Sequence, residues 1–178
     1  MLLEKFNLPF ETVSPKTDET PQPGEMPLDL VRRLALAKAR AVSGKHPHAV
    51  VIGSDQVAAC ENRIVGKPGS VERAHEQLAS FSGRTVLFLS AFAIVCEESG
   101  FLFERTVETV VIFRRLGSAE IDRYVSLDNP LDCAGSFRSE AAGTTLLKSM
   151  SSTDPTAIMG LPMIALAKGL RAAAYRLP

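Results

Sequence analysis

An acidic residue at the end of an apolar run is the feature of this chain best suited to chemistry. The run Ala49–Gln56 contains Gly53-Ser54-Asp55, and Gly66-Lys67-Pro68 follows soon after it. A buried strand of mostly β-branched residues presents its last side chains to a crevice, where open α/β sheets bind ligands. Asp55 could then act as a general base or as a ligand of a divalent cation, and the Lys67 ammonium could hold a phosphate. The alternative is that both segments are simple turns.

The elements that must position these residues follow from the spacing of apolar side chains. Two adjoining i, i+4 rows predict a helix over Pro27–Val42, in which Lys38 lies on the apolar side. Taken alone, this position is explained by a lysine whose alkyl chain packs against the apolar side of the helix while its ammonium reaches solvent at the edge. A loop with four prolines, Ser14–Pro27, precedes this helix. The same patterns predict strands at 10–13, 57–60, 63–65, 86–95 and 101–113, and helices at 70–80, 118–126 and 160–176.

The composition limits the classes of function. The 178 residues suit one domain, and 20 Lys and Arg balance 20 Asp and Glu, so no broad field is present to attract nucleic acid or an anionic membrane. Cys60, Cys96 and Cys133 are widely spaced and odd in number, which indicates reduced thiols. No apolar stretch has the length of a membrane span, and the start lacks the pattern of a signal peptide. These features predict a cytoplasmic protein without nucleic-acid or membrane partners.

Six segments, taken in order, resemble those of the Maf family of nucleoside triphosphate pyrophosphatases. They are Asp18-Glu19-Thr20-Pro21, Leu34-Ala35-Leu36-Ala37-Lys38-Ala39, Ile52-Gly53-Ser54-Asp55-Gln56, Gly66-Lys67-Pro68, Cys133-Ala134-Gly135-Ser136-Phe137 and Gly160-Leu161-Pro162. The resemblance covers nearly the whole chain. It implies an α/β fold: a single domain over residues 1–178, with a central mixed, twisted sheet flanked by helices and a nucleotide cleft at the strand ends. Asp55-Gln56, together with residues 133–140, resembles the branch that hydrolyses 7-methyl-GTP rather than the branch that acts on dTTP and UTP.

The resemblance also implies roles for charged residues. Asp55 stands where family members carry the catalytic carboxylate, either as proton acceptor or as holder of a metal-bound water. Glu19 is the expected second carboxylate for a divalent cation, Mg²⁺ or Mn²⁺. Lys38 and Lys67 are the expected phosphate-facing charges, because attack at the α-phosphorus builds negative charge on the departing pyrophosphate.

Two further residues are candidates for reading the base. Guanine offers two donors on its Watson–Crick edge, which a carboxylate such as Glu140 accepts together, and methylation at N7 adds a positive charge that a carboxylate favours. The pyrimidine branch of the family has Gln where Glu140 stands. Gln56 is the second candidate, and Phe137 is expected to be a core residue rather than a platform for the purine.

Alternatives to this assignment stay open from the sequence. One is a pyrophosphatase for dTTP, UTP or other noncanonical nucleotides, and another is a weakly active nucleotide-binding regulator of septum formation. Family members begin with a strand and a Ser- and Arg-rich turn that this sequence lacks ahead of Leu2, so an N-terminally shortened domain with an open sheet edge near Asp55 is expected. The family also makes a homodimer the expected oligomer.

Overall fold

Five strands form one sheet in the computed structural model, which describes residues 2–177. They are β1 (Val51–Cys60), β2 (Arg63–Val65), β3 (Thr85–Cys96), β4 (Phe101–Phe113) and β5 (Leu147–Ser152). Their order is β2-β1-β3-β4-β5, and every pairing among them is antiparallel. The expectation of a mixed sheet is therefore wrong for the described residues. Tight turns that join β1 to β2 and β3 to β4 enforce antiparallel pairing, because parallel neighbours need a long crossover.

Helices cover both faces of this sheet. One face carries α1 (Pro27–Ser43), whose apolar rows pack on side chains of β1 and β3. The opposite face carries α2 (Val71–Phe81), α3 (Ser118–Asp128) and α4 (Met163–Ala172). Helices on both faces of a central sheet make a three-layer arrangement. The α/β class expected from the sequence is confirmed.

Most of the predicted helices and strands are present, and the differences lie near the two ends of the chain and at β5. Residues 10–13 alternate in polarity but belong to no strand, and the final helix ends at Ala172. Leu3–Phe6 is a single 3₁₀ turn without a side-chain cap. The polar strand β5 is not predicted by the sequence patterns. Among the helices of residues 2–177, none has the length and apolar character needed to span a membrane.

The first strand of the sheet has an open edge beside its functional segment. Strand β1 pairs with β3 along Val51–Ala59, but with β2 only from Ala58 to Cys60. Within residues 2–177, the other edge of Val51–Val57 has no strand partner, which agrees with the expected open edge near Asp55. Strand side chains alternate between faces, so Asp55 points to the α1 side and Gln56 to the opposite side.

Gly53 lets helix α1 lie directly against strand β1. A Cβ atom at position 53 would stand 2.4 Å from both the Ala35 carbonyl oxygen and the Ala39 nitrogen. Real Cβ atoms do not approach backbone atoms this closely, so any larger residue would push α1 away from the sheet. The glycine thereby sets the spacing between the two elements that carry Lys38 and Asp55.

We expect Gly53→Ala to destabilise the protein because the obstructing atoms belong to backbone and cannot rotate aside. The loss in the free energy of unfolding should reach the upper part of the roughly 1–3 kcal/mol typical of overpacking. Urea denaturation measures it. Gly66→Ala is the matched control: a Cβ there meets no atom within 4 Å, and its effect should stay within about 0.5 kcal/mol. Equal stabilities of the two variants would contradict this account of the helix–strand contact.

Candidate active site

A large cleft lies along the open edge of β1. Its volume is about 1630 Å³, above the roughly 300–1,000 Å³ of most small-molecule pockets. The residues proposed from the sequence as site residues all line it: Glu19, Lys38, Asp55, Gln56, Lys67 and Glu140. The fold thus brings together side chains that are up to 121 positions apart in the sequence.

A lysine between two carboxylates forms the buried wall of this cleft. The Lys38 ammonium, on α1, lies 2.6 Å from Oδ1 of Asp55 on β1 and 2.7 Å from Oε1 of Glu19. The Asp55 side chain is only 11% exposed, whereas that of Glu19, on the loop before α1, is 53% exposed. Lysine carries three N–H donors, and these two contacts use two of them. The third remains for a bound anion.

The environment shifts the proton affinity of both members of the buried pair. Burial raises the pKa of the Asp55 carboxyl, although the hydrogen bond and charge of Lys38 oppose the shift. Burial disfavours the charged form of Lys38, but hydrogen bonds to Asp55 and Glu19 outweigh it, so its pKa is raised. Asp55 is therefore a stronger base than an ordinary exposed aspartate, and Lys38 stays a cation.

Lys67 lines the same cleft as this pair. It lies in the segment after β2, is exposed, and forms no ion pair with any carboxylate of residues 2–177. Its positive charge is close enough to oppose, in part, the rise that burial causes in the pKa of Asp55. Lys67 therefore lies near Asp55 without forming an ion pair with it. An unpaired ammonium in a cleft is available to an anionic ligand.

The proposed base-reading residues, Gln56 and Glu140, line the cleft together with Phe137. Glu140 is half-exposed, and its carboxylate accepts a hydrogen bond from Ser139 and lies 3.8 Å from the Arg138 guanidinium. Phe137 is buried and packs against Phe88 and Phe113, with ring centroids 5.4 and 5.6 Å apart. Phe137 is therefore a core residue, as expected.

Sequence reasoning missed a set of hydrogen bonds from Arg33 to Glu25 and Thr20, here called the clamp, which holds the loop that carries Glu19. Arg33 on α1 donates to both carboxylate oxygens of Glu25, at 2.6 and 2.8 Å, and to the Thr20 carbonyl at 3.1 Å. Glu25 also accepts from the Gln22 backbone N–H. A Glu near the end of a proline-rich loop and an Arg eight positions later in the following helix carry no local signal of pairing. The clamp ties the segment next to Glu19 to the helix that carries Lys38.

This clamp predicts a defined pH dependence of stability. The hydrogen bond from Arg33 lowers the pKa of Glu25 from 4.5 to about 2. A lowered folded-state pKa stabilises the fold above the unfolded-state value, and this stabilisation disappears as the pH falls toward the folded-state value. The difference in unfolding free energy between wild type and Glu25→Gln should therefore be present above about pH 4.5 and shrink toward pH 2. Urea titrations across this range measure it, and a difference independent of pH would contradict it.

Comparison with known proteins gives one consistent result. The family model described as "Maf-like protein" matches residues 1–173. A "7-methyl-GTP pyrophosphatase" of Aromatoleum aromaticum is 55% identical over 100% of this chain and 92% of its own length. Proteins of the same name from Polaromonas sp. and Bordetella pertussis are each 51% identical, over 99% and 95% of this chain and 80% and 84% of their own lengths. The chain therefore belongs to the Maf-like protein family.

Proposed function

We propose that this protein is a nucleoside triphosphate pyrophosphatase that hydrolyses 7-methyl-GTP to the monophosphate and pyrophosphate. The observation that carries the proposal is the buried Lys38–Asp55 pair in the wall of a cleft large enough for a nucleotide. The names of relatives with about half of their residues identical support the reaction and the substrate. Each residue then has a role that its surroundings favour.

Asp55 is the proposed proton acceptor. Hydrolysis at the α-phosphorus needs a water molecule that loses a proton as it attacks. A partly buried carboxylate with a raised pKa takes up that proton more readily than an exposed one. The 2.6 Å hydrogen bond from Lys38 holds one carboxylate oxygen, so the other oxygen is the one that would accept the proton.

Lys38 and Lys67 are the proposed phosphate-binding cations. Negative charge moves onto the departing pyrophosphate in the transition state, and preorganised positive groups stabilise it without having to reorganise. Lys67 can contribute its whole ammonium, since it has no ion-pair partner among the described residues. Lys38 contributes its remaining donor while it keeps Asp55 in place.

A divalent cation is the proposed cofactor, and the donor set fits one that arrives with the nucleotide. No three His, Cys, Asp or Glu side chains within residues 2–177 lie close enough to form a metal cage. Mg²⁺ commonly binds one or two carboxylates together with substrate phosphates, and Asp55 and Glu19 supply two. These two side chains would hold Mg²⁺ or Mn²⁺. The bound cation would neutralise triphosphate charge and polarise the phosphoryl oxygens.

Pyrophosphate release from a panel of nucleotides tests the proposal. The panel contains 7-methyl-GTP, GTP, dTTP and UTP, each measured with Mg²⁺ and then with Mn²⁺. The highest kcat/KM is expected for 7-methyl-GTP. A preference for dTTP or UTP would assign the chain to pyrimidine nucleotides, and binding without turnover would make it a nucleotide-binding regulator.

Glu140→Gln should narrow the preference for 7-methyl-GTP over UTP. The amide replaces an acceptor with a donor and removes the charge that attracts a methylated guanine. We expect kcat/KM for 7-methyl-GTP relative to UTP to fall by about 10-fold or more, as for a lost edge contact of about 1–3 kcal/mol. Glu104→Gln, an exposed change on β4, is the control. An unchanged substrate ranking in Glu140→Gln would mean that other residues choose the base.

A further inference from the structure

A buried polar network lies behind Gln56, on the sheet face opposite α1. The two hydrogens on Nε2 of Gln56 face three acceptors, Oγ of Ser90 at 2.8 Å and the carbonyl oxygens of Ala157 and Ile158, both at 3.0 Å, so one hydrogen is shared between two acceptors. Ser90 stands directly opposite Gln56 in the β1–β3 register and is fully buried. A buried hydroxyl in the mostly apolar strand β3 therefore contacts a residue of the cleft.

The hydrogen atoms of this network allow only one orientation of the Gln56 side chain. The Ser90 hydroxyl has a single proton, and it donates this proton to the Ala157 carbonyl oxygen at 2.6 Å. Toward Gln56, Ser90 can then only accept, and backbone carbonyl oxygens never donate. The amide nitrogen must occupy this side, because a flipped amide would place its oxygen against three acceptors. The carboxamide oxygen then lies on the side away from these acceptors; it is not among the buried polar atoms without a partner, and Gln56 lines the cleft.

Asp154 holds the turn that supplies two of these acceptors. It is 2% exposed, and its Oδ2 accepts from the N–H groups of Ile164 and Ala165 in the first turn of α4. Its Oδ1 accepts from the backbone N–H and the hydroxyl of Thr156. The turn over residues 154–160 is thereby fastened to α4 at one end and to Gln56 at the other.

We propose that Ser90 and Asp154 are positioning residues that restrict Gln56 to accepting hydrogen bonds from the base. This rests on the proposed function, since it assumes that a base contacts Gln56. No donor within residues 2–177 bonds to the Gln56 oxygen, so that oxygen is available to a ligand. Guanine presents adjacent N–H donors on its Watson–Crick edge, whereas the one donor of uracil is flanked by two acceptors. A fixed acceptor therefore favours guanine, and an amide free to flip would favour it less.

Ser90→Ala tests the proposal through the substrate ranking. Loss of the hydroxyl removes the nearest of the three acceptors and also the hydrogen bond that ties the Ala157 carbonyl to β3, so the amide is held less firmly. We therefore expect the ratio of kcat/KM for 7-methyl-GTP over UTP to fall about 10-fold. The same substitution in a Gln56→Met background should leave the ratio unchanged, because Ser90 acts through the amide. Equal effects of Ser90→Ala in both backgrounds, or no effect in either, would overturn the proposal.

Thr109→Val is the matched control for loss of a buried hydroxyl. Thr109 is 1% exposed on β4, and its hydroxyl has no hydrogen-bond partner among the described residues. We expect Thr109→Val to keep the wild-type ratio. Should Ser90→Ala fail to fold, Asp154→Asn repeats the comparison, since an amide nitrogen cannot accept from the N–H groups that the carboxylate binds. An unchanged ratio in folded Asp154→Asn would then overturn the proposal.

A measurement without substrate separates this proposal from the proposed function. The side-chain NH₂ signals of Gln56, assigned by their loss in Gln56→Met, should exchange slowly with solvent in wild type and at least about 10-fold faster in Ser90→Ala. If the wild type shows slow exchange but releases no pyrophosphate, the fixed orientation of Gln56 is supported and the proposed activity is rejected. Pyrophosphate release together with fast exchange in wild type would reject the fixed amide alone.

Discussion

Asp55→Asn is expected to reduce turnover of 7-methyl-GTP by at least about 10²-fold while the protein stays folded. The side chain keeps its shape and can still accept the hydrogen bond from Lys38, but it loses the charge that takes up a proton or binds a cation. Because the neutral side chain no longer bears a burial penalty, the free energy of unfolding should not collapse. Steady-state kinetics with thermal denaturation measure both quantities.

A matched aspartate on the surface separates the chemistry from the substitution itself. Asp122 on α3 is 55% exposed and pairs with His75, outside the cleft. Asp122→Asn makes the same chemical change and should keep wild-type turnover. Near-wild-type turnover in folded Asp55→Asn would remove Asp55 from the mechanism.

Lys67→Ala should lower kcat by about 10²-fold and change KM much less. The reason is that negative charge grows on the leaving pyrophosphate only during the reaction, so an ammonium at that point stabilises the transition state more than the bound substrate. Lys67 is exposed and unpaired, so its removal should leave the melting temperature nearly unchanged. Lys148→Ala, on the exposed strand β5, is the control for the loss of one positive charge. A rise in KM with constant kcat would restrict Lys67 to substrate binding.

The elements that carry the site could be predicted because their signals are local. The apolar rows of α1, the β-branched run of β1 and the turn that holds Lys67 are each written within a few residues, and their bounds differ from the prediction by few positions. Strand β5 could not be predicted in this way. Its sequence, Leu147–Ser152, is mostly polar and exposed, and it is a strand because β4 offers it a free edge.

The site residues likewise include some that local sequence predicts and some that it does not. Asp55 and Lys67 stand in short motifs, whereas the ion pair of Lys38 with Asp55 exists because Gly53 brings two backbones together. Ser90 and Asp154 carry no sequence signal beyond polarity among apolar neighbours, since their partners lie 34 to 67 positions away or across a turn from α4. Tertiary contact sets these pairings, and local patterns do not encode it.

The close contact of α1 with Gly53 has a consequence for hydrogen exchange. Backbone N–H groups on both sides of this contact belong to a regular helix and to the paired side of β1, so they should exchange only when the sheet itself opens. Residues 8–16, several of which also line the cleft, donate no main-chain hydrogen bond to another backbone group of residues 2–177, so their N–H groups, at every position except Pro9 and Pro15, should exchange within the dead time of the experiment. The rigid part of the cleft is then the one that holds Lys38 and Asp55, and a ligand that orders residues 8–16 would be detected as new protection of their N–H groups.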